Sequence, residues 1–356
     1  MRQTADTINY ANVGLMLLSC LAAYVFPFEL FLFSYAVLGP LHYLTEISWL
    51  HDRRYFVKAG PVQRAWQAER YWLALVFVTL VVMLYGLAAE RVMKQTVSPA
   101  FEIGLFYAVF VSASLLVFIK HKAIGAALIA LTALSLVLFS SSRYFGLIAF
   151  LLITIVHVFV FTAAFVLFGA LKSRSRSGAV SLIVFLLCAV SFFVYVPAAL
   201  GSTVGEYVRH SYGSFQTLNA ELIKLFHLGT GASLREIYES TAGLTVMRLI
   251  AYAYTYHYLN WFSKTSIIKW HEISRGRTAL IVGGWLSSLA VYAYNYDTGM
   301  IALYFLSVLH VMLEFPLNHQ TFAGIAKELY ALVRVAPQPA YQGTGSALAA
   351  RSKRIR

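Results

Sequence analysis

Apolar runs about as long as a bilayer is thick recur along this chain, and they constrain its fold more than any other feature. A helix needs about 20 residues to cross the hydrocarbon core, and such runs fall at roughly 10–27, 29–50, 71–90, 100–119, 123–140, 145–171, 178–200, 246–263, 278–295 and 299–316. Only 12% of the residues are charged and 60% are hydrophobic, against about 25% charged in an ordinary soluble domain. The expected fold is all-α, a polytopic transmembrane bundle of about ten spans. The stretch before Asn12 is polar rather than signal-like, so the first run reads as a retained anchor.

Basic residues set the expected orientation. They follow every even-numbered span, as Arg53, Arg54, Lys58, Arg64 and Arg70, then Lys120 and Lys122, then Lys172, Arg174 and Arg176, then Lys264, Lys269, Arg275 and Arg277. The opposite loops carry fewer. Positive-inside topology then places both termini in the cytoplasm, and the expected location is a bacterial-type inner membrane. The net charge of +13 is accounted for by this scatter over short loops, which argues against nucleic acid as a partner. The transmembrane domain is expected over 1–336, followed by a basic, disordered tail at 337–356. Within 201–245, on the outer side, Leu218, Leu222, Leu225 and Phe226 have helical spacing and predict an amphipathic helix lying at the interface, either a lid over a lipid-facing entrance or a helix packed on the bundle.

Chemistry is expected where ionisable side chains interrupt apolar helices, because such groups are costly in a membrane. Two segments share the spacing H-x3-E-x4-H: His42, Glu46 and His51, then His310, Glu314 and His319. Glu46 and Glu314 are the two carboxylates placed well within spans. His and Glu four apart share a helix face, so both pairs can reach one ion, with the carboxylate ligating it or orienting an imidazole. His51 and His319 are rotated off that face and join only if the helix has ended, which Pro316 suggests for the second. His157 lies midway along the sixth span and His257 in the eighth. With His42 and His310 they come from four spans of one direction and can gather in the cytoplasmic half of the bundle.

An imidazole-rich, thiolate-free set suits iron, zinc or copper, and open positions on iron suit dioxygen chemistry. Other readings of the same residues are hydrogen-bonded helix contacts, a proton relay in a proton- or metal-coupled transporter, or bis-histidine ligation in a haem-binding subunit. Cys20 and Cys188 form no CxxC or CxxCH motif. His121, His210, His227 and His271 fall in or near loops, His271 close enough to the expected site to be a further candidate. The tyrosines at 252, 254, 256 and 258 read as an interfacial belt and helix contacts.

Four blocks in order resemble the Brp/Blh-type family of membrane β-carotene cleavage dioxygenases. They are Leu41-His42 through Glu46, Ile155-Val156-His157, Tyr256-His257 through Trp261, and Leu309-His310 through Glu314. The resemblance implies His42, His157 and His257 as iron ligands, with His310 a further ligand or close neighbour. Both acidic positions are Glu where the family has Asp, and Trp261 stands where the family has a second histidine. The expected activity is a non-haem iron oxygenase holding one or two ions, with Glu46 and Glu314 supporting the ligands. Its partners would be dioxygen, membrane lipids and an apolar lipid-dissolved substrate, which the resemblance implies is a carotenoid. HxxxH and HxxHH boxes of membrane desaturases are absent, as are nucleotide-binding loops.

Overall fold

The computed structural model describes residues 2–53, 62–91, 99–118, 122–139, 143–197, 204–264 and 273–334. Helices α1 (Arg2–Val25), α2 (Pro27–Phe33) and α3 (Gly39–Arg53) come first, the last two joined by a π turn at Ser34–Leu38. Then follow α4 (Val62–Arg91), α5 (Pro99–Phe118), α6 (Lys122–Phe139) and α7 (Arg143–Leu151). A π-helical stretch, Leu152–Phe161, leads into α8 (Thr162–Ser173), and α9 spans Arg176–Val194. Three short helices, α10 (Glu206–Ser211), α11 (Gln216–Leu225) and α12 (Leu234–Glu239), precede α13 (Thr241–Ser263), α14 (Arg275–Tyr294) and α15 (Tyr296–Arg334). No strand occurs among the described residues.

The described parts of the ten apolar runs are helical apart from Phe26, 195–197 and Asn295. Five described segments, Asp6–Val25, Pro27–Asp52, Gly146–Ser173, Arg176–Val194 and Tyr296–Val333, are long and apolar enough to cross a bilayer. Their outward faces are apolar, with Leu17, Leu18, Leu21, Leu187 and Val190 exposed, as lipid requires. The protein is therefore an all-helical membrane protein.

The central post is α13, buried on every side from Gly243 to Tyr258. A helix apolar around its circumference belongs in the middle of a bundle. It packs on α1, α2 and α9, and its tyrosines are buried among helices, making the expected helix contacts rather than an interfacial belt. Tyr252 donates to the Phe185 carbonyl (3.2 Å), and Tyr256 donates to Asn12 Oδ1 (3.2 Å). One apolar core surrounds this post. A second, built from Trp49, Leu75, Phe106, Leu313 and Phe315, joins α3, α4, α5 and α15. Val158 belongs to the first and Phe161 to the second, so the seam between them passes beside His157.

Contacts between helix ends order the bundle. Asp6 accepts from Ser177, Arg174 pairs with Glu328 (3.1 Å), and Asp52 pairs with Arg277. These gather at one end several segments that the charge pattern assigns to one side. At the other end, α11 buries Leu218, Leu222 and Ile223 while Leu225 and Phe226 are exposed, and it packs against α13. The 337–356 tail and the basic loop residues Arg54, Lys58, Lys120 and Lys269 lie outside the described residues.

Gly243 is required by close approach, since a Cβ there would run into the carbonyls of Glu236 and Ile237. Ser240 caps α13 by accepting from the Gly243 N–H at 3.0 Å, which holds the two backbones together. Gly243→Val is expected to destabilise the fold by about 1–3 kcal/mol, read as a lowered thermal midpoint of the purified protein, whereas Gly276→Ala, with open space around it, should leave the midpoint unchanged.

Candidate metal centre

Pro40 prepares the position of His42. It has no N–H to give to the Ala36 carbonyl, and the backbone widens there, with the Gly39 N–H bonding the Ser34 carbonyl five residues back. A π turn of this kind re-aims the residues that follow it. Gly39 also admits Tyr258, whose hydroxyl would lie 3.4 Å from a Cβ at that position. Thr45 donates back to the Leu41 carbonyl (2.8 Å) and accepts from Trp261 Nε1 (3.0 Å). Trp261 therefore ties α3 to α13, with its ring 5.6 Å from that of His42.

His157 lies inside the second π stretch. In an α-helix, residues five apart would point about 140° away from one another. Here both His157 and Thr162 reach His257: the His157 and His257 rings are 4.8 Å apart, and Thr162 Oγ1 lies 2.8 Å from His257 Nδ1. A hydrogen bond on Nδ1 fixes which ring nitrogen is free, leaving His257 Nε2 to face inward. It lies 3.1 Å from His42 Nε2. His310 completes the group, with its ring 5.3 Å from His42 and 5.2 Å from His157.

One nitrogen from each of His42, His157, His257 and His310 lies within 4.8 Å of all the others, and all four side chains are buried. The carboxylates approach the same nitrogens. Glu46 Oε2 is 3.0 Å from His42 Nε2, and Glu314 Oε2 is 3.0 Å from His157 Nδ1. Neither oxygen has hydrogen-bond geometry. Both nitrogens of His157 lack a hydrogen bond as well, while the His310 ring lies near the Leu306 and Ser307 carbonyls.

Unsatisfied polar atoms at this depth are costly, and His42 Nδ1, one oxygen each of Glu46 and Glu314, and the ring nitrogens of His157 and His310 have no hydrogen-bond partner among the described residues. A metal ion fits. Ligands at about 2.1 Å from one ion are separated by about 3.0–3.4 Å along the edges of an octahedron or tetrahedron. The 3.0 and 3.1 Å contacts match that range. The donor set, neutral imidazole with carboxylate, suits a divalent first-row metal.

The remaining candidates stand apart. His51 is 52% exposed, beside Asp52 and the Trp72 ring. The helix does not end at Pro316, contrary to the expectation that would have admitted His319, because α15 runs unbroken to Arg334. Burial of Met312, Leu313 and Phe315 holds it through the proline. His319 consequently turns away, bonding the Phe315 carbonyl at 2.7 Å and packing on Phe110. His271 and His121 lie outside the described residues. His210 is 70% exposed. Thr162 and Tyr258, whose ring lies 5.1 Å from His42, are neighbours that the sequence spacing does not single out.

Comparison with known protein families, curated proteins and solved structures finds no match to this chain. The fold and site together define the class: a helical membrane protein with a buried four-histidine group able to hold a metal ion.

His42→Ala and His310→Ala are each expected to empty the site, whereas His210→Ala keeps it filled, as read by metal analysis of the purified variants. Thr162→Val, which frees the His257 ring, should weaken metal affinity by about 10–100-fold, measured by competition with a chelator.

Proposed function

We propose that this protein is a membrane-embedded non-haem iron oxygenase acting on an apolar, lipid-dissolved substrate, with a carotenoid as the substrate class. The observation that carries this reading is the convergence of four buried imidazole nitrogens within 4.8 Å of one another. A bis-histidine haem would need two opposed imidazoles about 4 Å apart with a macrocycle between them. Convergence of four imidazoles rather than two favours a bare ion over a porphyrin. The carotenoid assignment rests on the resemblance of the blocks at His42, His157, His257 and His310 to β-carotene cleavage dioxygenases.

Iron bound here would supply dioxygen binding and activation. The chain's own residues do the rest. His42, His157, His257 and His310 hold the ion in the neutral form that ligation requires. Glu46 and Glu314 offset its charge and either complete the coordination or orient the imidazoles. Thr162 fixes the ring of His257, and Trp261 holds α3 against α13. Apolar walls from both cores exclude water, which protects reactive species from side reactions. Substrate reaches the site sideways from the lipid. The proposed topology has ten spans with both termini cytoplasmic, in a bacterial-type inner membrane.

The contacts of Glu46 with His42 and of Glu314 with His157 favour one other reading, a proton relay in a transporter. Metal analysis of the detergent-purified protein together with its visible spectrum separates the two. The oxygenase predicts one or two iron ions per chain, no Soret band, and oxygen uptake when β-carotene is added. A metal-free protein that carries pH-dependent flux in vesicles would replace this reading with the relay.

A further inference from the structure

The post α13 carries a second buried polar group that the histidine site does not use. Arg248 is only 1% exposed. Its Nη2 donates to the Pro197 carbonyl at 3.3 Å, and its guanidinium lies 5.2 Å from the centre of the Tyr24 ring. Nε and Nη1 have no hydrogen-bond partner among the described residues. Arg174, Arg209, Arg235 and Arg277 all pair with carboxylates. The electrostatic neighbour of Arg248 among the described residues is Tyr24, and the segment after Pro197, residues 198–203, contains no acidic residue.

A guanidinium does not shed its proton, so burial without a counter-charge is strongly unfavourable. Among the described residues, two N–H groups and one positive charge remain to be matched, which is what an oxyanion supplies. The location says which oxyanion. Arg248 is seven residues into α13, about 10 Å from its start, among the last turn of α1 and the end of α9. In the proposed topology this is the outer end of the eighth span, where a lipid headgroup meets the hydrocarbon, so the inference rests on that topology. Leu21, Val25 and Val194 are exposed on the flanking helices, offering an apolar surface for acyl chains. Tyr24 also donates to Ser191 Oγ at 3.0 Å, which fixes its ring over the guanidinium. We infer that Arg248 is the oxyanion site for the headgroup phosphate of a membrane lipid bound between α1 and α9.

The test uses the full chain, delipidated in an uncharged detergent. Thermal midpoints are read with phosphatidylglycerol, with uncharged diacylglycerol and with inorganic phosphate, and bound lipid is counted by native mass spectrometry. Phosphatidylglycerol should raise the wild-type midpoint and bind at about one copy per chain, and diacylglycerol should not. Arg248→Gln should weaken that binding about tenfold or more, and Arg248→Lys less. Protection by inorganic phosphate equal to that by the lipid would keep the oxyanion site but overturn the lipid as its source. Equal protection by diacylglycerol, or lipid binding unchanged in Arg248→Gln, would overturn the inference altogether. The wild-type comparison of the two lipids stands even where the glutamine variant fails to fold.

Discussion

The arrangement of the histidine helices depends on one constraint: polar groups buried this deeply must be satisfied. Four imidazoles and two carboxylates converge at the seam between two apolar cores. One nitrogen of each imidazole lies within 4.8 Å of the others, close enough for the group to hold a metal ion. Burying an unmatched polar group costs several kcal/mol, far too much to repeat at His42, Glu46, His157, His310 and Glu314 in a protein of ordinary stability. An ion at their centre would turn that cost into a tie joining α3, α13, α15 and the π stretch before α8. The same logic applies to Arg248, where the unmatched group is a cation and the partner it needs is an anion.

The two departures from α-helical geometry gain their meaning from this centre. The π turn at Ser34–Leu38 follows from the missing N–H of Pro40 and sets the aim of α3 before His42. The π stretch at Leu152–Phe161 brings His157 and Thr162 to bear on one imidazole. Widened turns of this type carry poorer backbone hydrogen bonding and tend to persist where a site requires them. Both precede or contain a histidine of the cluster.

Much of this was legible in the sequence, because hydropathy and helical periodicity are strong signals in a membrane chain. The helices over the long apolar runs, five of them long and apolar enough to cross a bilayer, followed from run length and hydropathy. The gathering of His42, His157, His257 and His310 followed from their placement in spans of one direction. What the sequence hid depends on backbone register and packing. The i to i+5 relation of His157 and Thr162 has no meaning in an α-helix, so Thr162 drew no notice. Pro316 reads as a breaker, yet packing of Met312 and Phe315 carries the helix through it and turns His319 away. Tyr252, Tyr254, Tyr256 and Tyr258 look interfacial by composition, but α13 is the innermost helix and buries them. Composition cannot show which span lies at the centre, because all of the spans are apolar.

The central claim is that the four histidines are ligands of one metal centre, and X-ray absorption at the metal edge of the purified protein tests it most directly. The account predicts an iron edge with a first shell of nitrogen and oxygen at about 2.0–2.2 Å, and the outer-shell scattering pattern of several imidazoles. A sulfur shell, a porphyrin pattern or a shell without imidazole would contradict it.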